Sequence, residues 1–158
     1  MRFEKVLSYD ECDTFIDYFN KSYNYNDNQV KGSYIIHNSD MAMDFCNKIR
    51  PMLETKLPYK LQPHQAWIRK YVKGNILYKH WDGKADCALS VMLGQSDSQP
   101  NPLLIYYTEE PTEILLEKGN GYFFEGGTIE HSRPEIKSDY LYGLYVGYLK
   151  IEKENTLL

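Results

Sequence analysis

Between residues 58 and 151 the sequence is a succession of short runs rich in β-branched and aromatic residues, with no helical period between them. The runs fall at 65–72, 76–81, 87–93, 103–107, 113–116, 122–124 and 140–151, with a shorter one around 129–131. Breaks such as Lys73-Gly74-Asn75 and Ser98-Gln99-Pro100-Asn101-Pro102 separate them. Parallel neighbours need a crossover of a dozen or more residues, usually a helix. About eight strands without such crossovers therefore predict an antiparallel sandwich, jelly roll or barrel. The 15 tyrosines suit this reading, because Tyr fits a pleated, half-buried surface.

The first third of the chain has a different period. Ser8-Tyr9-Asp10-Glu11 has the spacing of a capping box, a hydroxyl for the third following N–H and an acid three residues on. Cys12, Phe15, Ile16 and Phe19 then recur at three- and four-residue intervals, predicting a helix to about Asn20. Residues 21–28 are polar, rich in Asn and Tyr and without period, and are expected to form a loop. Ser39 or Asp40 caps a second expected helix to about Arg50, with Met43, Cys46 and Ile49 on its apolar face. Pro51 need not end it, and helix can resume as far as Lys56.

The chain of 158 residues is one domain's length, and residues 1–158 are expected to form a single domain. A net charge of −4 argues against nucleic acid as a partner. No run reaches the ~18 apolar residues of a membrane span, and no apolar stretch follows Met1 as in a secretory signal. The odd set Cys12, Cys46 and Cys87, without CxxC spacing, reads as reduced thiols in a cytoplasmic protein.

Chemistry is concentrated at few positions. Of the four histidines, His80 is followed two residues on by Asp82, and on a strand i and i+2 share a face. His131 lies far downstream, after the turn-rich Glu125-Gly126-Gly127-Thr128. Two His and one carboxylate on one side of a metal leave the opposite positions open, the facial triad suited to non-haem Fe(II) and O₂. An isolated HxD triplet is common by chance, and a lone His in a β protein is usually a satisfied polar residue. His37 and His64 are read in that way.

The surrounding sequence resembles a known family. Arg69-Lys70-Tyr71-Val72-Lys73-Gly74-Asn75, running into Ile76-Leu77-Tyr78-Lys79-His80-Trp81-Asp82, is similar to the prolyl 4-hydroxylase-like 2-oxoglutarate/Fe(II) dioxygenases. Those enzymes carry an R-Y-x-x-G stretch, followed by Q or N, that leads into HxD. Phe3 to Cys12 resembles the family's opening helix, and Leu116 to Phe124 followed by His131-Ser132-Arg133-Pro134 resembles its distal-His region. The likeness spans nearly the whole chain in order. It implies a mainly β fold with N-terminal helices (α+β), a double-stranded β-helix or cupin-like jelly-roll barrel. Residues 1–57 would be a helical support and 58–151 the jelly-roll core. It further implies Fe(II) held by His80, Asp82 and His131, 2-oxoglutarate as co-substrate, and O₂-dependent hydroxylation of a C–H bond in a prolyl residue of a peptide, an amino acid or another small molecule.

One position departs from the pattern. The family has a basic residue about ten positions after the distal His, where a fixed cation pairs with the far carboxylate of 2-oxoglutarate. Leu141 stands there, flanked by Tyr140 and Tyr142. Arg133 or Lys137 can replace the cation, Tyr71 with Tyr140 or Tyr142 can bind the carboxylate by neutral hydrogen bonds, or the co-substrate is a different one. Two further readings stay open: a non-catalytic jelly-roll module that binds a metal or ligand, and a cupin-like metalloenzyme that does not use 2-oxoglutarate. The loops at 20–31 and 97–102 are expected to act as lids.

Overall fold

The computed structural model describes residues 1–151, which form eleven strands and two helices. Strands β1 (Arg2–Phe3), β2 (Tyr25–Asn26) and β3 (Tyr34–His37) belong to the N-terminal third, with helices α1 (Tyr9–Lys21) and α2 (Asp40–Glu54). Then follow β4 (Lys60–Val72), β5 (Leu77–His80), β6 (Cys87–Gln95), β7 (Leu103–Ile105), β8 (Thr112–Ile114), β9 (Gly121–Phe124), β10 (His131–Arg133) and β11 (Tyr140–Ile151). Seven strands make one sheet in the order β1-β9-β6-β11-β4-β3-β2, and four make a second, β5-β10-β7-β8. All pairings are antiparallel. This is the jelly-roll architecture expected from closely spaced strands. No helix among the described residues is long and apolar enough to cross a membrane.

The helices form where local chemistry favours them. Ser8 and Glu11 close the capping box reciprocally, each side chain accepting from the other's backbone N–H. Ser39 caps α2 through Ala42 N. Pro51 lies inside α2, which continues to Glu54 because Ile49 and Leu53 on either side of it stay buried. Cys12, Phe15 and Phe19 of α1 pack with Ala42, Phe45, Cys46, Ile49 and Leu53 of α2 against one face of the large sheet. That face is built from Ile68 of β4, Tyr142, Leu144, Val146 and Tyr148 of β11, and Leu89, Val91 and Leu93 of β6. The other face carries Trp67, Arg69 and Tyr71 of β4 and Leu141 and Tyr145 of β11, and looks toward the small sheet.

Several boundaries differ from the sequence reading. Residues 1–57 are not purely helical, since β1 pairs with β9 and β3 pairs with β4. Part of the expected loop at 21–28 is strand β2. β4 begins at Lys60, upstream of the expected run at 65–72. Pro63 is tolerated because the register shifts beside it, with Gly147 opposite Gln65 and Tyr148 opposite Pro63. The strand expected at 129–131 is His131–Arg133 instead.

The period-two alternation of β11 also corrects the placement of two tyrosines. Tyr140 and Tyr142 stand on the helix-bearing face, one position out of phase with Leu141 and Tyr145. Tyr142 packs edge-on against Phe19 and donates its hydroxyl to Asn20 Oδ1 at 2.9 Å, while Tyr140 is exposed beside it. Tyr142→Phe should therefore cost about 1 kcal/mol of stability in urea unfolding. It should leave divalent-metal affinity at the histidines unchanged, as read by Mn(II) titration.

Candidate metal and anion site

The antiparallel pairing of β10 with β5 sets His131 directly opposite His80. Their rings lie 4.3 Å apart between centroids, and Phe124 meets His131 edge-on at 4.8 Å. Asp82 lies two residues past the end of β5, so the strand pleat alone does not aim it. Its backbone N–H donates to Gly126 O at 2.9 Å, which ties it to the turn before His131. Gly126 has no side chain where a Cβ would collide with Asp82 Oδ2.

The result is a compact cluster. Asp82 Oδ1 is 3.3 Å from His131 Nε2 and 3.8 Å from His80 Nε2. One ligand atom from each of the three residues falls within 4.8 Å of the others, so the group can hold a metal ion. Each imidazole is also oriented from behind. His80 Nδ1 meets Tyr78 O at 2.7 Å and His131 Nδ1 meets Ile129 O at 3.1 Å. A carbonyl partner makes Nδ1 the protonated nitrogen and leaves the Nε2 lone pair for the metal. Burial holds the His80 imidazole below its ordinary 6.5; the Tyr78 carbonyl works against that shift and His131 adds to it.

Behind the triad is an inner cavity of about 30 Å³, lined by Trp67, Arg69, Tyr71, Tyr145, Ser90, Arg133 and the three triad residues, among others. Arg133 is two residues after His131 on β10 and is buried, with only 3% exposure. Its Nη1 donates to Asn101 O at 2.7 Å, and its guanidinium carbon is 5.5 Å from the centre of the Tyr71 ring. Among the described residues no carboxylate pairs with it. Arg69, also buried, differs in this respect. Its Nε meets Asp27 Oδ2 at 2.5 Å, Nη2 donates to Gln29 Oε1 at 2.8 Å and Nη1 to the Tyr71 hydroxyl at 3.2 Å. Burial pushes the Tyr71 phenol up, but Arg69 and Arg133 outweigh it and bring the group below 10. Burial and the neighbouring Tyr71 push Tyr145 the other way, so its hydroxyl keeps its proton.

Among the described residues, three buried donors in this cavity have no hydrogen-bond partner: Arg133 Nε, Trp67 Nε1 and Tyr145 Oη. Such orphans are rare in native interiors, and each is costly unless a ligand supplies an acceptor. The groups therefore fit a ligand with anionic oxygens.

The inner cavity adjoins a wider cleft of about 630 Å³, which shares Trp67, Arg69, Gln29 and Asp82 with it. Its walls carry the stacked rings of Tyr25, His37 and Trp67, a row that Tyr145 continues inward. Trp81 and the amides of Asn26, Asn28, Gln29 and Gln65 complete it.

Of the residues singled out from sequence, His80, Asp82, His131, Tyr71 and Arg133 come together here. Tyr140 and Tyr142 line a separate groove with α1 and the loop at 98–101. The loop expected as a second lid thus lies away from the cleft, and Asn101 in it supports Arg133. Sequence reasoning missed Tyr145, Arg69 and Trp67. Their signal was present as strand alternation, since Trp67 and Arg69 share a face with Tyr71, and Tyr145 pairs directly with Trp67.

No protein-family model matches the chain, and no curated protein matches it. Solved structures do. A viral collagen prolyl hydroxylase from Paramecium bursaria Chlorella virus-1, in complex with 2-oxoglutarate, superposes with a TM-score of 0.72 at 17% identity, covering 94% of both chains. A prolyl-4-hydroxylase from Pseudomonas putida gives 0.72 at 10% identity, over 96% of this chain and 92% of that one. HygX from Streptomyces hygroscopicus, with nickel and 2-oxoglutarate bound, gives 0.74 at 10% identity, over 94% and 81%. The chain has the fold of the 2-oxoglutarate/Fe(II) oxygenases.

Gly126→Ala should push the Asp82 carboxylate aside and weaken Mn(II) binding by about 10- to 100-fold with the fold retained, measured by EPR titration and circular dichroism. The His80 shift sets a pH dependence. Its folded value lies below its unfolded one, so its contribution to the metal-free protein's stability is complete above about 6.5 and is lost as pH falls through the folded value. Urea midpoints of the metal-free protein should decline as pH falls below about 6.5, and Mn(II) affinity should decline with them.

Proposed function

We propose that the chain is a non-haem Fe(II) oxygenase that couples decarboxylation of 2-oxoglutarate to hydroxylation of a substrate C–H bond. The observation that carries this reading is the set of three orphaned donors beside a His-Asp-His cluster, within a fold shared with proteins solved bound to 2-oxoglutarate. In this reading His80, Asp82 and His131 hold the iron. Iron bound there would supply the O₂ chemistry of the coupled reaction, in which one oxygen atom would go to succinate formed with loss of CO₂ and the other to the hydroxyl of the product.

The remaining roles belong to the chain's own side chains. Asp82 supplies the negative charge of the triad, and the carbonyls of Tyr78 and Ile129 keep the two imidazoles neutral and oriented. Arg133, with Tyr71 and Tyr145, holds the far carboxylate of the co-substrate. A buried guanidinium without a carboxylate is strongly disfavoured unless a ligand neutralises it. In this reading Arg133, two residues after the distal histidine, takes the part of the cation that the sequence lacks at position 141. Both residues are on β10 and reach the same cavity. Tyr140 and Tyr142 have no role in it. The substrate, a peptide or a small molecule, enters through the aromatic cleft. The segment from β2 to β3 forms part of its wall. The acidic balance of the chain supports neither nucleic acid nor an anionic membrane surface as a partner.

Anaerobic addition of Fe(II) and then 2-oxoglutarate should give a visible charge-transfer band that needs both. Asp82→Ala should abolish it, and Arg133→Met should raise the 2-oxoglutarate concentration needed by more than 10-fold while Fe(II) affinity stays within threefold. Iron binding without the band would favour a cupin-like enzyme, and no iron binding a bare binding module.

A further inference from the structure

Two guanidinium groups flank the same phenol. The Arg69 and Arg133 carbons are each 5.5 Å from the centre of the Tyr71 ring, and both residues are buried in the inner cavity. A pocket with two free guanidiniums would suit a dianionic head such as phosphate, which takes bidentate forks from both sides. Only one of the two is free.

The second is occupied by a carboxylate carried in from the cleft wall. Asp27 sits just after β2, in the turn that leads to β3, and is itself buried. Its carboxylate is fixed on every side. Oδ1 accepts from Gln29 N at 2.8 Å, and Oδ2 accepts from Ser33 Oγ at 3.1 Å and from Arg69 Nε. The turn that holds it is anchored by Asp27 N to Ser33 O at 3.1 Å, Ser33 N to Val30 O at 3.0 Å and Asn75 Nδ2 to Lys31 O at 3.2 Å. Val30 is fully buried beneath it. Asp27 cannot swing away from Arg69 without dismantling this turn.

We propose that Asp27 is a specificity-determining residue of the anion pocket. By neutralising Arg69 it leaves Arg133 as the free guanidinium there, so the pocket takes a single far carboxylate and discriminates against phosphate. This inference rests on the reading of the cavity as the 2-oxoglutarate pocket, and it assigns the selectivity to a residue from outside the double-stranded β-helix strands that carry the metal ligands. Removing the Asp27 charge liberates a buried cation that an anion can satisfy, whereas a purely structural ion pair would simply be lost.

The experiment uses the full chain loaded with Mn(II), with 2-oxoglutarate and inorganic phosphate as probes in calorimetric titration and thermal melts. The parent protein should bind 2-oxoglutarate and bind phosphate at least 100-fold more weakly. Asp27→Asn should melt lower than the parent in anion-free buffer, recover most of that loss in phosphate, and bind phosphate at least 10-fold more tightly. Asp27→Glu should behave as the parent does. The double variant Asp27→Asn/Arg69→Met removes both charges and, with no liberated cation, should gain no phosphate affinity over the parent. A stability loss in Asp27→Asn that phosphate does not recover would overturn the proposal. So would a double variant that binds phosphate at least 10-fold more tightly than the parent, an arm that stands even where the single variant does not fold. If the parent itself fails to bind 2-oxoglutarate, the functional reading falls and the proposal with it; if it binds and the variants behave alike, the proposal alone falls.

Discussion

The structure depends on the long antiparallel ladder between β4 and β11. It runs from Val72 opposite Tyr140 to Lys60 opposite Ile151, and it carries β3 on one side and β6 on the other. Each residue of this ladder is committed to one of two environments by the pleat. Ile68, Leu144 and Val146 meet the two helices, while Trp67, Arg69, Tyr71 and Tyr145 meet the cavity. The helices thus have a mechanical function, since burying one face of the ladder in apolar contact keeps the other in register for the polar site. The register shift opposite Pro63 falls near the far end of the ladder, away from the residues that form the cavity.

The small sheet supplies what the ladder lacks. Its pairing of β5 with β10 brings two histidines from distant parts of the sequence into contact, and the turn at Gly126 sets Asp82 between them. Backbone carbonyls fix both imidazoles, so the metal-facing geometry is determined mostly by main chain and depends little on further side chains. The cavity behind it is governed by charge. Two arginines share one tyrosine, and one of them is already neutralised by Asp27. An interior that, among the described residues, leaves Arg133 without a carboxylate and Tyr145 without a partner is energetically incomplete, and this incompleteness distinguishes the cavity from ordinary packing.

Much of this was legible before any coordinates. The capping box at Ser8, the helical period through Phe19 and the full extent of β11 follow from local chemistry that the tertiary structure reinforces. The His80, Asp82 and His131 set was readable from residue types and their order. Two kinds of error have clear causes. β4 extends upstream of the run at 65–72 because Pro63 is accommodated in a central strand by a register shift, and that shift is defined only by the partner strand. Tyr140 and Tyr142 were chosen for their distance from the distal histidine, but distance along the chain does not state which face of a strand a residue occupies. One position of phase moved them to the helix side and brought Tyr145 in.

What the sequence determined by itself is the class of fold and the three side chains that could hold a metal ion, because periodicity and ligand chemistry are local properties. What the tertiary structure decided is which cation is available to an anion. Arg69 and Arg133 are equivalent in sequence terms, both arginines near a histidine or tyrosine of interest. Only the folded chain brings Asp27 against Arg69 and, among the described residues, no carboxylate to Arg133. A charge is neutralised by what lies within a few ångströms in space, and the sequence carries no statement of that distance.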